Sequence, residues 1–144
     1  MKTNEIHINF PALSENEALA RMCASAFAAQ LNPTIEELSD IRTAVSEAVT
    51  NSIIHAYNSF PLPVYLDMYI EDRTLKIVVR DTGRGIDNVQ EAMQPFYTTI
   101  PGEERSGMGF SVMQAFMDEL TVSSRSGIGT TVTMIKKIER VLPE

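Results

Sequence analysis

The chain has 144 residues, 44% hydrophobic and 22% charged, with a formal net charge of 12 − 19 = −7. That length predicts one domain over 1–144, with core enough to fold without staples. The acidic balance argues against direct nucleic-acid binding, and a single cysteine, Cys23, excludes an internal disulfide framework and a cysteine-built zinc site. No apolar run is long enough for a membrane span, and the start Met-Lys-Thr-Asn-Glu-Ile-His is too polar for a secretory signal, so a cytoplasmic protein is expected.

Residues 5–10 alternate through Ile6, Ile8 and Phe10 and predict a short strand. Ser14 and Glu17 have the spacing of a capping box, opening a helix to about Leu31 with Leu19, Met22, Cys23, Ala26 and Phe27 inward. Asn32-Pro33-Thr34 stops it, and a second box, Thr34 with Glu37, starts a helix to about Tyr57. Its inward stripe is Ile41, Ala44, Val45, Ala48, Val49, Ser52 and Ile53. Beyond Pro61 and Pro63, alternation over 64–70 (Leu66, Met68, Ile70) and again at Leu75, Ile77 and Val79 predicts an antiparallel hairpin turning at Glu71-Asp72-Arg73. Residues 82–109 hold five glycines and two prolines with few periodic apolar positions, a connection long enough to be functional. A helix is predicted at about 110–118, then a hairpin of 119–125 and 130–138 across Ser126–Gly129. The order β-α-α-β-β-loop-α-β-β gives an α+β fold, a two-layer sandwich with one sheet covered on one face by helices.

Three places carry residues suited to chemistry. Glu47, Asn51 and His55 are spaced i, i+4, i+8 along the second helix, beside its apolar stripe. Such a row lines a pocket or forms a solvated face. Asp81 ends a strand and shares the inward parity of Leu75, Ile77 and Val79. It opens Asp81-Thr-Gly83-Arg-Gly85, which is either an Asx-type turn or an acceptor at a cavity mouth. Gly107-Met108-Gly109 precedes a helix, where free backbone N–H groups attract phosphate. There is no P-loop, no third glycine for a dinucleotide fingerprint (Val112 stands there), no protein-kinase motif set and no G-x-S-x-G elbow. His7 and His55 are too few for a His-based metal site.

The combination, Glu-x-x-x-Asn on a helix, Asp-x-Gly-x-Gly after a strand, a long loop and Gly-x-Gly opening a helix, resembles the ATP-binding fold shared by gyrase-type ATPases, the Hsp90 chaperone, two-component histidine kinases and the mismatch-repair MutL proteins. The resemblance covers about 35–135 and implies a mixed, largely antiparallel sheet of the Bergerat type. Within that superfamily, Glu47–Tyr57 and Arg105–Phe110 are similar to the small anti-sigma serine kinases. Gln94-Pro-Phe-Tyr-Thr-Thr99 and Phe116-Met-Asp118, with Phe10, Ser14–Glu17 and Arg21, extend the likeness almost end to end, to the branch of spore-forming bacteria.

What the resemblance implies is specific. Glu47 is the general base or orienter, with Arg105 as the cation of the lid, and Asn51 coordinates magnesium (Mg2+). Asp81 accepts from the adenine amine of ATP, in a pocket shaped by Gly83 and Gly85 and backed by Thr130. Gly107, Met108, Gly109 and Phe110 wrap the phosphates, and residues 95–106, with Thr98, Thr99 and Ser106, form the lid. The chain departs from the pattern at Ile100, where the family has a lysine after the paired threonines, and at Ala56, where relatives have glycine. The implied partners are a sporulation sigma factor, an anti-anti-sigma protein phosphorylated on serine, and a second copy of the chain. Arg21 is the expected docking residue. Two other readings stand beside this one. A nucleotide-gated binding module without kinase activity would not need Glu47. A histidine-kinase catalytic domain would need a preceding helical hairpin with a phosphoacceptor His, whereas His7 reads as part of a strand.

Overall fold

The structure, a computed structural model, describes residues 3–56, 62–94 and 109–139. Five strands make one sheet: β1 (Thr3–Pro11), β2 (Pro63–Glu71), β3 (Thr74–Asp81), β4 (Glu119–Arg125) and β5 (Gly129–Lys137). Their order is β1-β2-β3-β5-β4 and every pair is antiparallel. The sheet is therefore the all-antiparallel limit of the expected mixed one, with no parallel pair among the described strands.

Alternation sets one buried face. Val64, Leu66, Met68 and Ile70 of β2, Leu75, Ile77 and Val79 of β3, and Val132 and Met134 of β5 lie within the core. Register aligns them in rows, Met68 opposite Ile77 and Ile77 opposite Met134, so cross-strand neighbours pack as well as helix neighbours. The other face carries polar and aromatic groups. Arg80 lies over the Tyr65 ring at 4.1 Å, and His7 on β1 is held by Asp67 and Glu5, each at 2.7 Å.

Helices α1 (Glu15–Ala28), α2 (Ile35–Asn51) and α4 (Gly109–Phe116) cover the apolar face. The Thr34/Glu37 box forms as expected, each side chain bonding the other's backbone N–H. The predicted stripe of α2, Ile41 to Ile53, is buried throughout. A five-residue π turn, Ser52–Ala56, continues it, a widening often found at functional sites. Tyr57 lies outside the described residues.

Helix α1 differs from expectation in two ways. Ser14 itself takes helical angles (φ −60°, ψ −29°) and its hydroxyl donates to Glu15, so the Ser14/Glu17 box does not form. Glu17 instead accepts from the Ser46 hydroxyl of α2. The inward face is also rotated. Ala20, Ala24, Phe27 and Ala28 are buried, Cys23 is half-buried, Ala26 is exposed, and Leu19 and Met22 stand 53% and 65% exposed. Two stripes in α1 share helical spacing. The one rich in alanine faces inward because small side chains let the helix pack closely. A further short helix, α3 (Val89–Ala92), lies in the long connection, capped by the Asn88 carboxamide.

Candidate functional site

The last turn of α2 reaches two places at once. Glu47 and Asn51 share one face and meet the first residue of α4. A Cβ added to Gly109 would lie 3.2 Å from Glu47 Oε2 and 3.3 Å from the Asn51 amide nitrogen. Any side chain there would fill the space between the α4 N-terminus and these two groups. The first N–H groups of a helix lack intrahelical partners and carry partial positive charge. An anion at this end meets those donors, a carboxylate that can take a proton and a carboxamide oxygen that suits a hard cation. The opposite end of α4 is fixed by Lys136, whose Nζ donates to Phe116 O (2.6 Å) and reaches Asp40 of α2 at 3.4 Å.

One residue beyond Asn51, the side chain points elsewhere. Ser52 is buried, and its hydroxyl donates to Asp81 Oδ2 at 2.8 Å. Asp81 is only 5% exposed. Its Oδ1 accepts from Gly83 N–H (3.0 Å), closing an Asx-type turn, and from Thr130 N–H (3.3 Å) across the β3–β5 pair. A carboxylate offers about four lone-pair sites. Three are filled by neutral donors, and among the described residues no cation pairs with Asp81. Burial pushes its pKa above the ordinary carboxylate value, against the opposing pull of these hydrogen bonds. A buried carboxylate without a counter-charge is costly, and the acceptor site still open on Oδ2 marks where a donor from a ligand fits.

The turn after Asp81 is seated on the β4–β5 hairpin. Gly85 has φ +75°, and a Cβ there would overlap the Arg125 carbonyl, so only glycine allows this approach. Arg84 O accepts from Gly127 N–H (2.6 Å), and Ile86 N–H donates to Ser124 Oγ (2.7 Å). Gly85 thus shapes the site from behind, through the hairpin. The Thr130 hydroxyl is hydrogen-bonded to Ser124 at 2.8 Å, while its backbone serves Asp81.

The structure therefore brings Glu47, Asn51, Gly109 and Phe110 together at one end, and Asp81, Gly83 and Thr130 at the other, joined through Asn51 and Ser52. Residues 95–106 of the expected lid, with Thr98, Thr99, Arg105 and Ser106, and the expected phosphate-binding Gly107 and Met108 lie outside the described residues. Arg21 is placed between α1 and α2, its guanidinium 3.9 Å from Glu17 rather than free as expected, and half-buried. Sequence reasoning missed Ser52 and Ser124 as site residues. Ser52 reads as one more member of an apolar stripe, and its signals are that a lone hydroxyl in such a stripe needs a partner and that Thr50-Asn51-Ser52 is a poor helix-forming trio.

Among the described residues no group of three or more His, Cys, Asp or Glu could hold a metal, and no helix is long and apolar enough to cross a membrane. The family model for the histidine kinase-like ATPase domain matches residues 10–136. The chain is 52% identical over 138 residues to the anti-sigma F factor of Anoxybacillus flavithermus, covering 95% of this chain and 94% of that protein. It is 54% identical over 138 residues to that of Geobacillus thermodenitrificans, with the same coverage. Among solved structures, the RsbU and RsbW domains of a Mycobacterium tuberculosis protein match with a TM-score of 0.69 at 18% identity, over 96% of this chain and 33% of that one. The catalytic domain of histidine kinase ThkA matches with a TM-score of 0.58 at 13% identity, over 96% and 97% of the two chains.

Proposed function

The chain belongs to the histidine kinase-like ATPase domain family and, within it, to the anti-sigma F factors, and from that premise we propose that it sequesters a sporulation sigma factor and, using ATP, phosphorylates and inactivates an anti-anti-sigma protein on serine. The observation that carries the proposal is that α2 and the π turn continuing it serve both ends of one site, Glu47 and Asn51 facing Gly109 while Ser52 holds Asp81. In this reading Asp81 Oδ2 accepts from the adenine amine, and the triphosphate lies at the α4 N-terminus. Asn51 would hold magnesium, which when bound would supply positive charge beside the transferring phosphoryl group. Glu47 positions the acceptor serine and takes its proton as the serine Oγ–phosphorus bond forms. The bond from the γ-phosphorus to the bridging oxygen breaks, and ADP leaves. The family's lid would close over this site, with Arg105 its remaining cation in place of the lysine that Ile100 replaces.

The chain would act in the cytoplasm as a homodimer, one domain carrying both activities. Exposed Leu19 and Met22 beside Arg21 favour docking of a partner on α1. Arg21→Glu is expected to weaken partner binding at least tenfold, about 1.4 kcal/mol, with ATP affinity unchanged. Isothermal titration against each partner checks this, and two unaltered affinities would place docking elsewhere. A binding module without kinase activity is the competing reading. Mixing the chain with labelled ATP, magnesium, sigma factor and anti-anti-sigma protein separates the two. The proposal expects label on a serine of the anti-anti-sigma protein, and label on neither partner would leave only the binding module.

The raised pKa of Asp81 makes a second prediction. Burial makes Asp81 easier to protonate in the ligand-free fold than in the unfolded chain, so this group's contribution to stability is full below its unfolded pKa and is lost as pH rises through the raised folded value. ATP recognition runs the other way, because protonated Asp81 turns from acceptor to donor. Affinity for ATP is expected to fall with acidification, beginning above the usual range of about 3.9 for Asp. A titration of ATP binding against pH measures it, and affinity that holds until that range would remove Asp81 from adenine recognition.

A further inference from the structure

Between α1 and α2 runs a groove of about 430 Å³ lined by Arg21, Ser39, Arg42, Thr43, Ser46 and Glu47. Apart from Arg21, the residues on its wall follow one polar stripe of α2 with i, i+3, i+4 spacing, and the stripe ends on the carboxylate at the α4 N-terminus. Of the neighbouring carboxylates, Glu17 is engaged at the groove wall, where it takes the Ser46 hydroxyl and faces Arg21, whereas Glu37 accepts from the Thr34 and Glu139 N–H groups and Asp40 faces Lys136. Arg42 is exposed and makes no salt bridge among the described residues. Arg21 reaches Glu17 only at 3.9 Å, and its Nε is a buried donor without a partner among the described residues. With Glu17 set against Arg21, Arg42 is the cation of this groove left for a ligand, beside the hydroxyls of Ser39 and Thr43 and on the approach to Glu47.

We infer that this groove seats the segment of the protein substrate that flanks its acceptor serine, and that Arg42 selects an acidic residue there. The inference rests on the serine-kinase reading and adds to it the class of substrate, an extended acidic segment. From residue 42 to residue 47 the helix rises about 7.5 Å and turns about 140°, so the two side chains start roughly 10 Å apart, the length of about three residues of extended chain. A serine at Glu47 therefore places an acidic side chain about three positions away against Arg42. The hydroxyls of Ser39 and Thr43 stand beside it to hydrogen-bond the segment's backbone.

The test uses the full chain and an intact anti-anti-sigma protein as phosphate acceptor, with KM and kcat for that protein measured apart from ATP affinity. Arg42→Glu is expected to raise KM for the protein substrate at least tenfold, with kcat, ATP affinity and melting temperature almost unchanged, because a charge contact beside the reacting atoms contributes binding alone. Arg42→Lys should retain most of the wild-type KM. Replacing the substrate's acidic residue near the acceptor serine by lysine should restore KM for Arg42→Glu and impair the wild type. Unchanged KM for Arg42→Glu would overturn the inference, as would loss of sigma-factor binding with phosphorylation intact, which would give the groove to the other partner. Failure of the wild type to label the substrate would remove the kinase reading and this inference with it, a result distinct from either.

Discussion

Glu47→Ala is expected to slow phosphoryl transfer to serine by roughly 10²–10⁴-fold, the usual contribution of a positioned general base, while ATP affinity hardly changes. Phosphoryl transfer depends mainly on positioning and charge stabilisation, so the carboxylate matters through what it holds. Glu47 is placed by the last turns of α2 and lies beside the position any side chain on Gly109 would occupy. Its removal leaves the Asp81 end of the site intact, because Ser52, Gly83 and Thr130 hold that carboxylate independently. Single-turnover labelling with ATP-loaded protein measures the chemical step without product release. Near-normal turnover in the variant would take Glu47 out of the mechanism.

Asp81→Asn should lower ATP affinity by about 1–3 kcal/mol, the cost of leaving a buried polar group mismatched. The carboxylate accepts every hydrogen bond it makes, and its open site accepts too. An amide retains one acceptor oxygen for the Gly83 and Thr130 donors but turns an NH2 group toward Ser52 and the adenine amine. The Ser52 hydroxyl can rotate to accept, whereas the adenine amine cannot. The variant also removes a buried charge that has no cation beside it, so the fold should tolerate the change. Calorimetric ATP titration together with thermal unfolding checks both halves. Unfolding at wild-type ATP affinity would mean that Asp81 serves its Asx turn and nothing more.

Much of the architecture is legible in the sequence because most elements obey one period. The α2 stripe from Ile41 to Ile53 and the alternating residues of β2 and β3 allow only one buried face. Helix α1 offers two. Leu19 and Met22 outweigh the alanines in hydrophobicity, but Ala20, Ala24 and Ala28 permit the closer approach to α2, and close packing decides. The Ser14/Glu17 pattern fails because Glu17 has a stronger use across the helix pair, where Ser46 donates to it. At the site, Glu47, Asn51, Asp81 and Gly109 stand out by type and spacing. Ser52 does not, since its role depends on Asp81, 29 positions away, arriving opposite it. Gly85 is legible as a glycine that matters but not for its reason, the approach of Arg125 from a hairpin 40 residues downstream. Contacts made only by tertiary folding leave no local pattern to read.

A structure of the chain with magnesium and a non-hydrolysable ATP analogue tests the account most directly, because the central claim is that α2 joins an adenine end and a phosphate end into one site. The account predicts the adenine amine within hydrogen-bond distance of Asp81 Oδ2. It also predicts the triphosphate at the N-terminus of α4, with Asn51 on the metal and Glu47 facing the γ-phosphate. An adenine bound away from Asp81, or phosphates away from Asn51 and Gly109, would contradict it.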